Sequence, residues 1–241
     1  MKRLNSLTVV AAFLSTLTLV GCSDNDLPNV AMPDPVEPMP VVNYRYQVTV
    51  INLTHSQPMS PIATLLHNEM NVWEIGMPAS VALEQLAESG NNAELLTQEF
   101  VIAGESGEGI LMPGASETIE VSTMNSPPQM LSTVTMLVNT NDAFSGFNAM
   151  DISNMTVGES ISLRTGSYDA GTEKNSESSA SIPGPASGGT GEGYNEARDD
   201  VNFVAMHPGV VTADDGLASS VLTQAHRFDN PTLAITVTRI E

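Results

Sequence analysis

The sequence has 241 residues, and its 28 acidic and 8 basic side chains give a formal net charge of −20 at pH 7. Such a surface repels nucleic acid and anionic lipid, so neither is expected as a partner. The one cysteine excludes an intrachain disulfide, and the fold must therefore rest on an apolar core or on a metal ion.

Residues 1–22 have the pattern of a targeting segment. An apolar run from Leu7 to Val20 follows Lys2 and Arg3, and small residues precede Cys22. The run is too short and too rich in Ser and Thr for a membrane-spanning helix. The pattern is similar to a bacterial lipobox, in which Cys22 is lipidated and becomes the first residue of the mature chain. The alternative is an ordinary signal peptide with an incidental cysteine.

Loss of residues 1–21 would leave six basic against 28 acidic residues, a net charge of −22. We expect a lipid anchor on Cys22 to attach the protein to a membrane of the bacterial cell envelope. An aspartate directly after the lipidated cysteine would be an inner-membrane retention signal. Ser23 occupies that position, so the outer membrane is the expected location. Residues 23–43 combine prolines with repelling acids, which predicts an extended linker.

Residues 44–241 are predicted to form one domain, and about 200 residues suffice for a sizeable core. Residues 44–53 alternate between apolar and polar side chains, as a half-buried strand does. A second strand is predicted over residues 60–67, and Pro61 places its start at a sheet edge.

One clear helix is predicted after Pro78, which fits the first helical turn because its missing N–H has no partner there. The apolar stripe of this helix consists of Val81, Leu83, Leu86 and Ala87. Glu84 and Glu88 are predicted to face solvent, and Gly90 ends the helix. A second helical turn is predicted within residues 92–100.

From residue 101 onward the sequence predicts short strands with turn residues at intervals of about 8–12 positions. The predicted strands are residues 110–112, 117–122, 131–138, 144–150, 160–164, 203–206, 210–212 and 233–239. This pattern is typical of an antiparallel β-sandwich, so the predicted fold class is all-β with a minor helical part after the second strand. Residues 172–200 are rich in Ser and Gly, and they are predicted to form a flexible surface loop.

Two loops rich in oxygen ligands follow strand-like segments. Asp142 lies in the first loop, and Asp169 and Glu173 lie in the second, on either side of Gly171. Gly171 allows a sharp turn, so that both acids of the second loop can face one point. Calcium takes about six to eight oxygens from carboxylates, backbone carbonyls and water. The residues leave two interpretations open, a calcium site and solvated turn acids of the kind common in an acidic chain.

A series of short motifs runs along the predicted domain. They are Ser60-Pro61, His67, Trp73–Ser80, Leu86–Gly90, Asn141–Gly146, Tyr168–Glu173, Ile182–Pro185, His207–Val210 and Asn230-Pro231. Together and in this order they resemble the spondin domain over residues 44–240. The resemblance implies a β-sandwich similar to calcium-dependent lipid-binding modules, and an adhesion role for the animal members. It also implies a calcium ion held by Asp142, Asp169 and Glu173, although the family pattern often has aspartate where this chain has Glu173.

The sequence contains no recognisable catalytic set. Glu108 stands where a Gly-x-Ser-x-Gly motif around Ser106 would need its second glycine, and the four histidines form no metal-spaced pair. We therefore expect a non-enzymatic, lipid-anchored binding or adhesion module with a structural calcium ion, whose partner is a surface protein or a glycan. The alternatives are a carbohydrate-active enzyme of the envelope and an acidic matrix protein with no functional metal.

Overall fold

The computed structural model describes residues 40–189 and 191–241, and Pro40–Glu241 form one compact unit. The predicted targeting segment, its Cys22 and residues 23–39 of the predicted linker lie outside the described residues. Within the described part, no helix combines the length and the apolar character needed to cross a membrane.

The described residues form two antiparallel sheets, of four and six strands. The strands are β1 (Asn43–Asn52), β2 (Ala63–His67), β3 (Val101–Ser106), β4 (Ser116–Met124), β5 (Met130–Met136), β6 (Ala143–Asp151), β7 (Ser160–Thr165), β8 (Ser167–Asp169), β9 (Ala205–Met206) and β10 (Leu233–Arg239). Their order is β4-β1-β10-β7 in one sheet and β3-β2-β5-β6-β8-β9 in the other. Two helices, α1 (Val81–Ser89) and α2 (Ala93–Leu96), follow β2. The predicted all-β sandwich with a minor helical part is confirmed.

Strands β1 and β10 form the centre of the four-stranded sheet. Val48 lies opposite Val237, and Val50 lies opposite Ile235. All four side chains are buried, while the intervening threonines lie on the other face. A strand places alternate side chains on opposite faces, so this alternation directs one apolar face into the sandwich core.

Helix α1 packs on the outer face of the six-stranded sheet. The Ser80 hydroxyl accepts a hydrogen bond from Leu83 N at 3.2 Å, and Gly90 ends the helix with a φ of 72°. Both residues are typical caps, because a Ser side chain satisfies a free N–H and Gly tolerates the left-handed region. Leu83 and Leu86 are buried in the core beneath the helix.

Three aromatic rings fix the strand ends that carry the oxygen-rich loops. Trp73 lies 5.2 Å from Phe144 and 5.3 Å from Tyr168 between ring centroids, and Phe144 stacks on Tyr168 at 5.3 Å. Aromatic pairs at such distances contribute about 0.5–1.5 kcal/mol beyond the area they bury. Because Phe144 is close in sequence to Asp142, and Tyr168 is next to Asp169, the cluster holds the two loops in a fixed relation.

The structure differs from the predicted elements at several points. Residues 110–112 and 210–212 are not strands, although Leu111 forms an isolated bridge with Met59. Strands β3 and β8 were not predicted. Gly104 in β3 lies so close to α2 that an added Cβ would be 2.9 Å from the Leu96 carbonyl oxygen. Gly104 is therefore needed for the close packing of β3 against α2. In the sequence it was interpreted as a loop residue, and for this reason β3 was not predicted.

The prediction that Glu84 and Glu88 face solvent is wrong. They are 1% and 2% exposed, whereas Val81 of the predicted apolar stripe is 49% exposed. The reason is that residues 191–200 fold back onto α1, where Arg198 donates to Glu84 and Asn195 N donates to Glu88. The predicted flexible loop therefore covers the polar side of the helix with specific contacts, and its flexibility stays a prediction.

Candidate functional site

Backbone pairing brings the two oxygen-rich loops together. Ala143 at the start of β6 lies opposite Asp169 at the end of β8, and Ala170 N donates to the carbonyl oxygen of Asp142 at 3.2 Å. Asp142 and Asp169 therefore lie at the same end of neighbouring strands, although 26 residues separate them in the chain.

The Asp142 carboxylate is fully buried, and its two oxygens differ. Oδ2 accepts hydrogen bonds from Thr172 N at 2.8 Å, Glu173 N at 3.1 Å and the Thr172 hydroxyl at 3.2 Å. Oδ1 has no hydrogen-bond partner among the described residues. A buried polar atom without a partner costs about 1–3 kcal/mol, and more when it is charged. The second oxygen therefore needs a proton or a cation.

Asp169 is held by two hydrogen bonds from its own loop. Gly171 N donates to Oδ1 at 2.8 Å, and the Asn175 side-chain amide donates to Oδ2 at 2.7 Å. Gly171 has a φ of 70°, and an added Cβ would meet the Phe203 carbonyl oxygen at 2.3 Å. Only glycine fits this turn, because both the left-handed backbone and the approach of Phe203 exclude a side chain.

The carboxylates of Asp142 and Asp169 repel each other when both are ionised. Burial, and after it the neighbouring charge of Asp169, raise the pKa of Asp142 to about 8, against the effect of the hydrogen bonds from Glu173 and Thr172. An ionised pair here is stabilised by any cation that enters.

Glu173 has a different set of neighbours from the two aspartates. Its backbone N–H donates to Asp142, but its carboxylate accepts from the Asn141 side-chain amide at 3.1 Å. Burial raises the pKa of Glu173 to about 7, and the charges that raise it are those of Glu88, Glu192 and Asp199. The structure therefore brings Asp142 and Asp169 together, whereas the contact shown for the Glu173 carboxylate is with the Asn141 side chain.

The sequence patterns did not indicate two side chains with buried oxygens, Asn175 and Glu177. Glu177 is 1% exposed, and burial, with the charge of Asp169, raises its pKa to about 7. Neither Glu177 Oε2 nor the side-chain oxygen of Asn175 has a partner in the described part of the chain. Glu173, Asn175 and Glu177 alternate along the loop, and this spacing was the one sequence signal that could have drawn attention to them.

The charge of Asp169 also acts on His207, whose ring offers a hydrogen and not a lone pair at Nε2. Its Nδ1 accepts from Gly209 N at 3.0 Å, so the neutral ring carries its hydrogen on Nε2. Burial lowers the pKa of His207 to about 4, against the opposing charge of Asp169, and the ring is neutral at pH 7. A neutral ring with a hydrogen on Nε2 is a donor to an anion or water and does not bind a metal ion through that atom.

The donor set favours a hard cation. Across residues 40–189 and 191–241, no three side chains of His, Cys, Asp or Glu are grouped as the ligands of a metal ion. A site at Asp142 and Asp169 would therefore also need amide or carbonyl oxygens, which calcium accepts readily and zinc does not favour. The buried and unpartnered oxygens of Asp142 and Asn175 fit such a cation.

A second feature is an apolar groove that none of these carboxylates lines. It encloses about 670 Å³ between Ile110, Met112, Val138 and the turn Pro183–Pro185. No ionisable side chain occurs among the described residues that line it. The groove therefore offers contact area and no acid–base chemistry.

Comparison with known proteins gives one family. A family model described as Spondin_N matches residues 53–186. The matched region contains α1, the aromatic cluster, Asp142, Asp169, Glu173 and Glu177. No curated protein matches the chain.

Proposed function

The chain belongs to the Spondin_N family, and from this premise we propose that it is a non-enzymatic binding or adhesion module of the bacterial cell envelope with a structural calcium ion. The family match over residues 53–186 supports an extracellular or envelope-located adhesion module. The two-sheet sandwich supports a scaffold that presents loops at its ends.

One observation carries the calcium proposal. Asp142 is fully buried beside Asp169, and its Oδ1 has no hydrogen-bond partner among the residues that the structure describes. Calcium would be held by Asp142 and Asp169, with Glu173 as the third acid that the family resemblance implies. The bound ion would neutralise the carboxylates and fix the loops at residues 137–142 and 170–177 against each other.

The site as proposed is structural. A ligand that binds only the folded state raises the free energy of unfolding by RT ln(1 + [L]/Kd), about 2.7 kcal/mol at one hundred times Kd. A rigid loop end also lowers the entropy cost of binding a partner, because fewer side chains become ordered on contact. The proposed partner is a surface protein or a glycan.

The anchoring proposal rests on the sequence. Cys22 follows an apolar run and small residues, and residues 23–43 would act as a spacer between membrane and domain. The net charge of −22 after removal of residues 1–21 keeps the domain away from an anionic membrane surface. The membrane contact would therefore be made by the lipid on Cys22, with the outer membrane as the proposed location.

Calorimetric titration of the protein with calcium tests the proposal. We expect one bound ion for the wild-type protein and none for the double variant Asp142→Asn with Asp169→Asn. Asp214→Asn with Asp229→Asn is the matched control, because it also removes two negative charges, both from exposed residues outside the site. Absence of calcium binding by the wild-type protein, or equal binding by the double variant, would overturn the proposed site.

The same variants separate binding from folding. In excess chelator, the double variant should melt at the temperature of the wild-type protein or above it, since it removes buried charges that repel. In calcium, only the wild-type protein and the control variant Asp214→Asn with Asp229→Asn should gain stability. A drop of equal size in chelator and in calcium would show a folding defect and would contradict the proposed role of the ion.

A further inference from the structure

The two edges of the four-stranded sheet differ in how well they are covered. In β4, at one edge, the inward-facing side chains Ile119 and Val121 are 6% and 0% exposed, and β3 of the other sheet packs beside this strand. In β7, at the opposite edge, the inward-facing Ile161 and Leu163 are only half-buried. The described residues place no further strand beyond β7. The apolar core therefore reaches this edge and is left incomplete there.

The backbone of β7 presents hydrogen-bonding groups at the open edge. Arg239 N donates to the carbonyl oxygen of Glu159 at 3.0 Å, and the register with β10 continues without a shift along β7. In an antiparallel pair, alternate residues exchange their N–H and C=O groups with the neighbouring strand. The odd-numbered residues of β7 therefore bond to β10. Ser160, Ser162 and Arg164 direct their N–H and C=O groups away from it, where the described residues offer no partner.

Arg164 is the one charged residue within β7, and it forms no ion pair with the described residues. The other five basic side chains of this part of the chain are engaged, four in salt bridges and one over an aromatic ring: Arg45, Lys174, Arg198, Arg227 and Arg239. Strand β7 also contains no proline, lysine or acid. Edge strands that avoid pairing with other chains commonly carry proline, lysine or inward-pointing charges, so β7 lacks most of the features that prevent such pairing.

We propose that the open edge of β7 pairs with β7 of a second copy of this chain, in antiparallel orientation about a two-fold axis at Ser162. The axis sets Ser162 opposite its own counterpart as a hydrogen-bonded pair, which is the arrangement that the free N–H and C=O groups of this residue require. Ile161 then lies opposite Leu163 of the second copy, and Ser160 lies opposite Arg164 of the second copy. The pairing completes the burial of the apolar side chains, keeps the two arginines apart and joins two four-stranded sheets into one of eight strands.

Charge also favours a second copy as the occupant. Glu159 directly precedes β7, so the axis brings the acid of one copy next to Arg164 of the other. The net charge of −20 per chain repels a second copy at long range, but at about 0.15 M salt such repulsion is screened beyond about 8 Å. Two short strands make a small interface, so the dimer should be weak and should depend on concentration. The pairing involves no residue of the proposed calcium site and goes beyond the proposed function.

Sedimentation velocity of the protein in chelator, over a wide range of concentration, tests the proposal. The wild-type protein should pass from monomer to dimer. Ser162→Lys and Ser162→Asp each set two like charges opposite one another at the axis, and each should raise the Kd of the dimer by about tenfold or more. A mixture of the two variants sets opposite charges against each other and should restore the dimer. Since only folded chains can pair, this rescue separates lost pairing from lost folding.

The matched controls are Ser116→Lys and Ser116→Asp. Ser116 is an exposed serine of the same sheet, in β4 at the opposite edge, so the same charges introduced there should leave the Kd unchanged. A wild-type protein that stays monomeric at every concentration would overturn the inference. Equal effects of the changes at Ser116 and Ser162, or a dimer that the Ser162 changes leave intact, would also overturn it.

Hydrogen exchange of the wild-type protein locates the interface without any substitution. The amides of Ser160, Ser162 and Arg164 should exchange rapidly at low concentration, because they have no partner in the monomer, and should slow as the dimer forms. A dimer in which these amides still exchange rapidly would place the contact elsewhere and overturn the inference. Slow exchange in the monomer would show that another segment of this chain covers β7, and it would overturn the inference as well.

Discussion

Two groups of buried acidic residues lie beside the six-stranded sheet, one on α1 and one at the loop ends. They differ in whether a basic side chain neutralises them. On α1, Glu84 pairs with Arg198 at 2.5 Å, and Glu88 accepts from Asn195 N at 2.9 Å. At the loop ends, Asp142 and Asp169 accept hydrogen bonds from N–H groups, but neither forms a salt bridge with a basic side chain of the described residues. The chain supplies a cation for the first group, and we propose that the second takes calcium.

The difference shows how burial and charge must be considered together. Glu84 also has one oxygen without a partner in the described part of the protein, but its other oxygen is neutralised by a guanidinium that also donates to the Ala79 carbonyl. A charged group that is buried with its counter-ion is a structural feature. A carboxyl group that is buried without one must either hold a proton or bind a ligand of opposite charge.

The largest effect is expected from removal of the Arg198 guanidinium, which pairs with the buried Glu84. Arg198→Met leaves Glu84 buried without its partner, and we expect a loss of about 3 kcal/mol in the free energy of unfolding. The value is at the low end for buried pairs because the Arg198 side chain is 21% exposed. Urea unfolding measures it, and the loss should be the same in calcium and in chelator.

The matched control for this change is Arg227→Met. Arg227 pairs with Asp215, but the two side chains are 52% and 31% exposed, so the expected loss is below about 1 kcal/mol. If Arg198→Met cost no more than Arg227→Met, the ion pair on α1 would not be the feature that stabilises the buried Glu84.

A smaller effect is expected from pH in the absence of calcium. The pKa of Asp142 is raised to about 8, and those of Glu173 and Glu177 to about 7, so the folded state holds protons that the unfolded state has released. The free energy of unfolding should therefore fall as the pH rises through this range. His207, with its pKa lowered to about 4, acts in the opposite direction, but only below its ordinary value of 6.5.

The clean window for this test is about pH 7.5 to 8.5, at least one pH unit above the ordinary pKa of histidine, where the histidines are largely neutral in both states. In chelator we expect a loss of about 1 kcal/mol in the free energy of unfolding across this window. Saturating calcium should flatten the slope, since the ion holds the carboxylates ionised. Denaturation at several pH values measures both curves, and identical slopes with and without calcium would count against the ion at these residues.

The smallest effect is expected on α1. Glu88→Gln keeps an oxygen that can accept from Asn195 N, and it removes a carboxylate whose pKa is raised chiefly by burial. We expect a change of less than about 1 kcal/mol, equal in calcium and chelator. Thermal melts would measure it. A change that appears only in calcium would place the ion at α1 and would remove the distinction between the two groups.

The sequence predicted the parts of the fold that depend on local patterns. The alternation in β1 and β10, the end of α1 at Gly90 and the sandwich class follow from periodicity and turn residues. The predicted start of α1 is wrong, because the helix begins at Val81 after its Ser80 cap and Pro78 precedes it. The pairing of Asp142 with Asp169 followed from their positions at strand ends. No local pattern showed that Glu84 is buried, because its partner Arg198 lies 114 residues away.

The same reason explains why Glu177 was missed. Its burial depends on Val211 and Val221, and its unsatisfied oxygen becomes evident only when the neighbouring loops are in place. Residues 210–212 were predicted as a strand from their apolar character, but Val211 N instead donates to the Glu177 carboxylate. Sequence patterns indicate strands and turns, whereas the charge balance of a buried site depends on contacts between distant segments.

A crystal structure of the protein grown with calcium, with the ion located by its anomalous scattering, tests the central claim most directly. We expect one ion in contact with Asp142 Oδ1 and Asp169, at about 2.3–2.6 Å, the usual distance between calcium and oxygen. An ion beside Glu84 and Glu88, or no ion at Asp142 and Asp169 at saturating calcium, would contradict it.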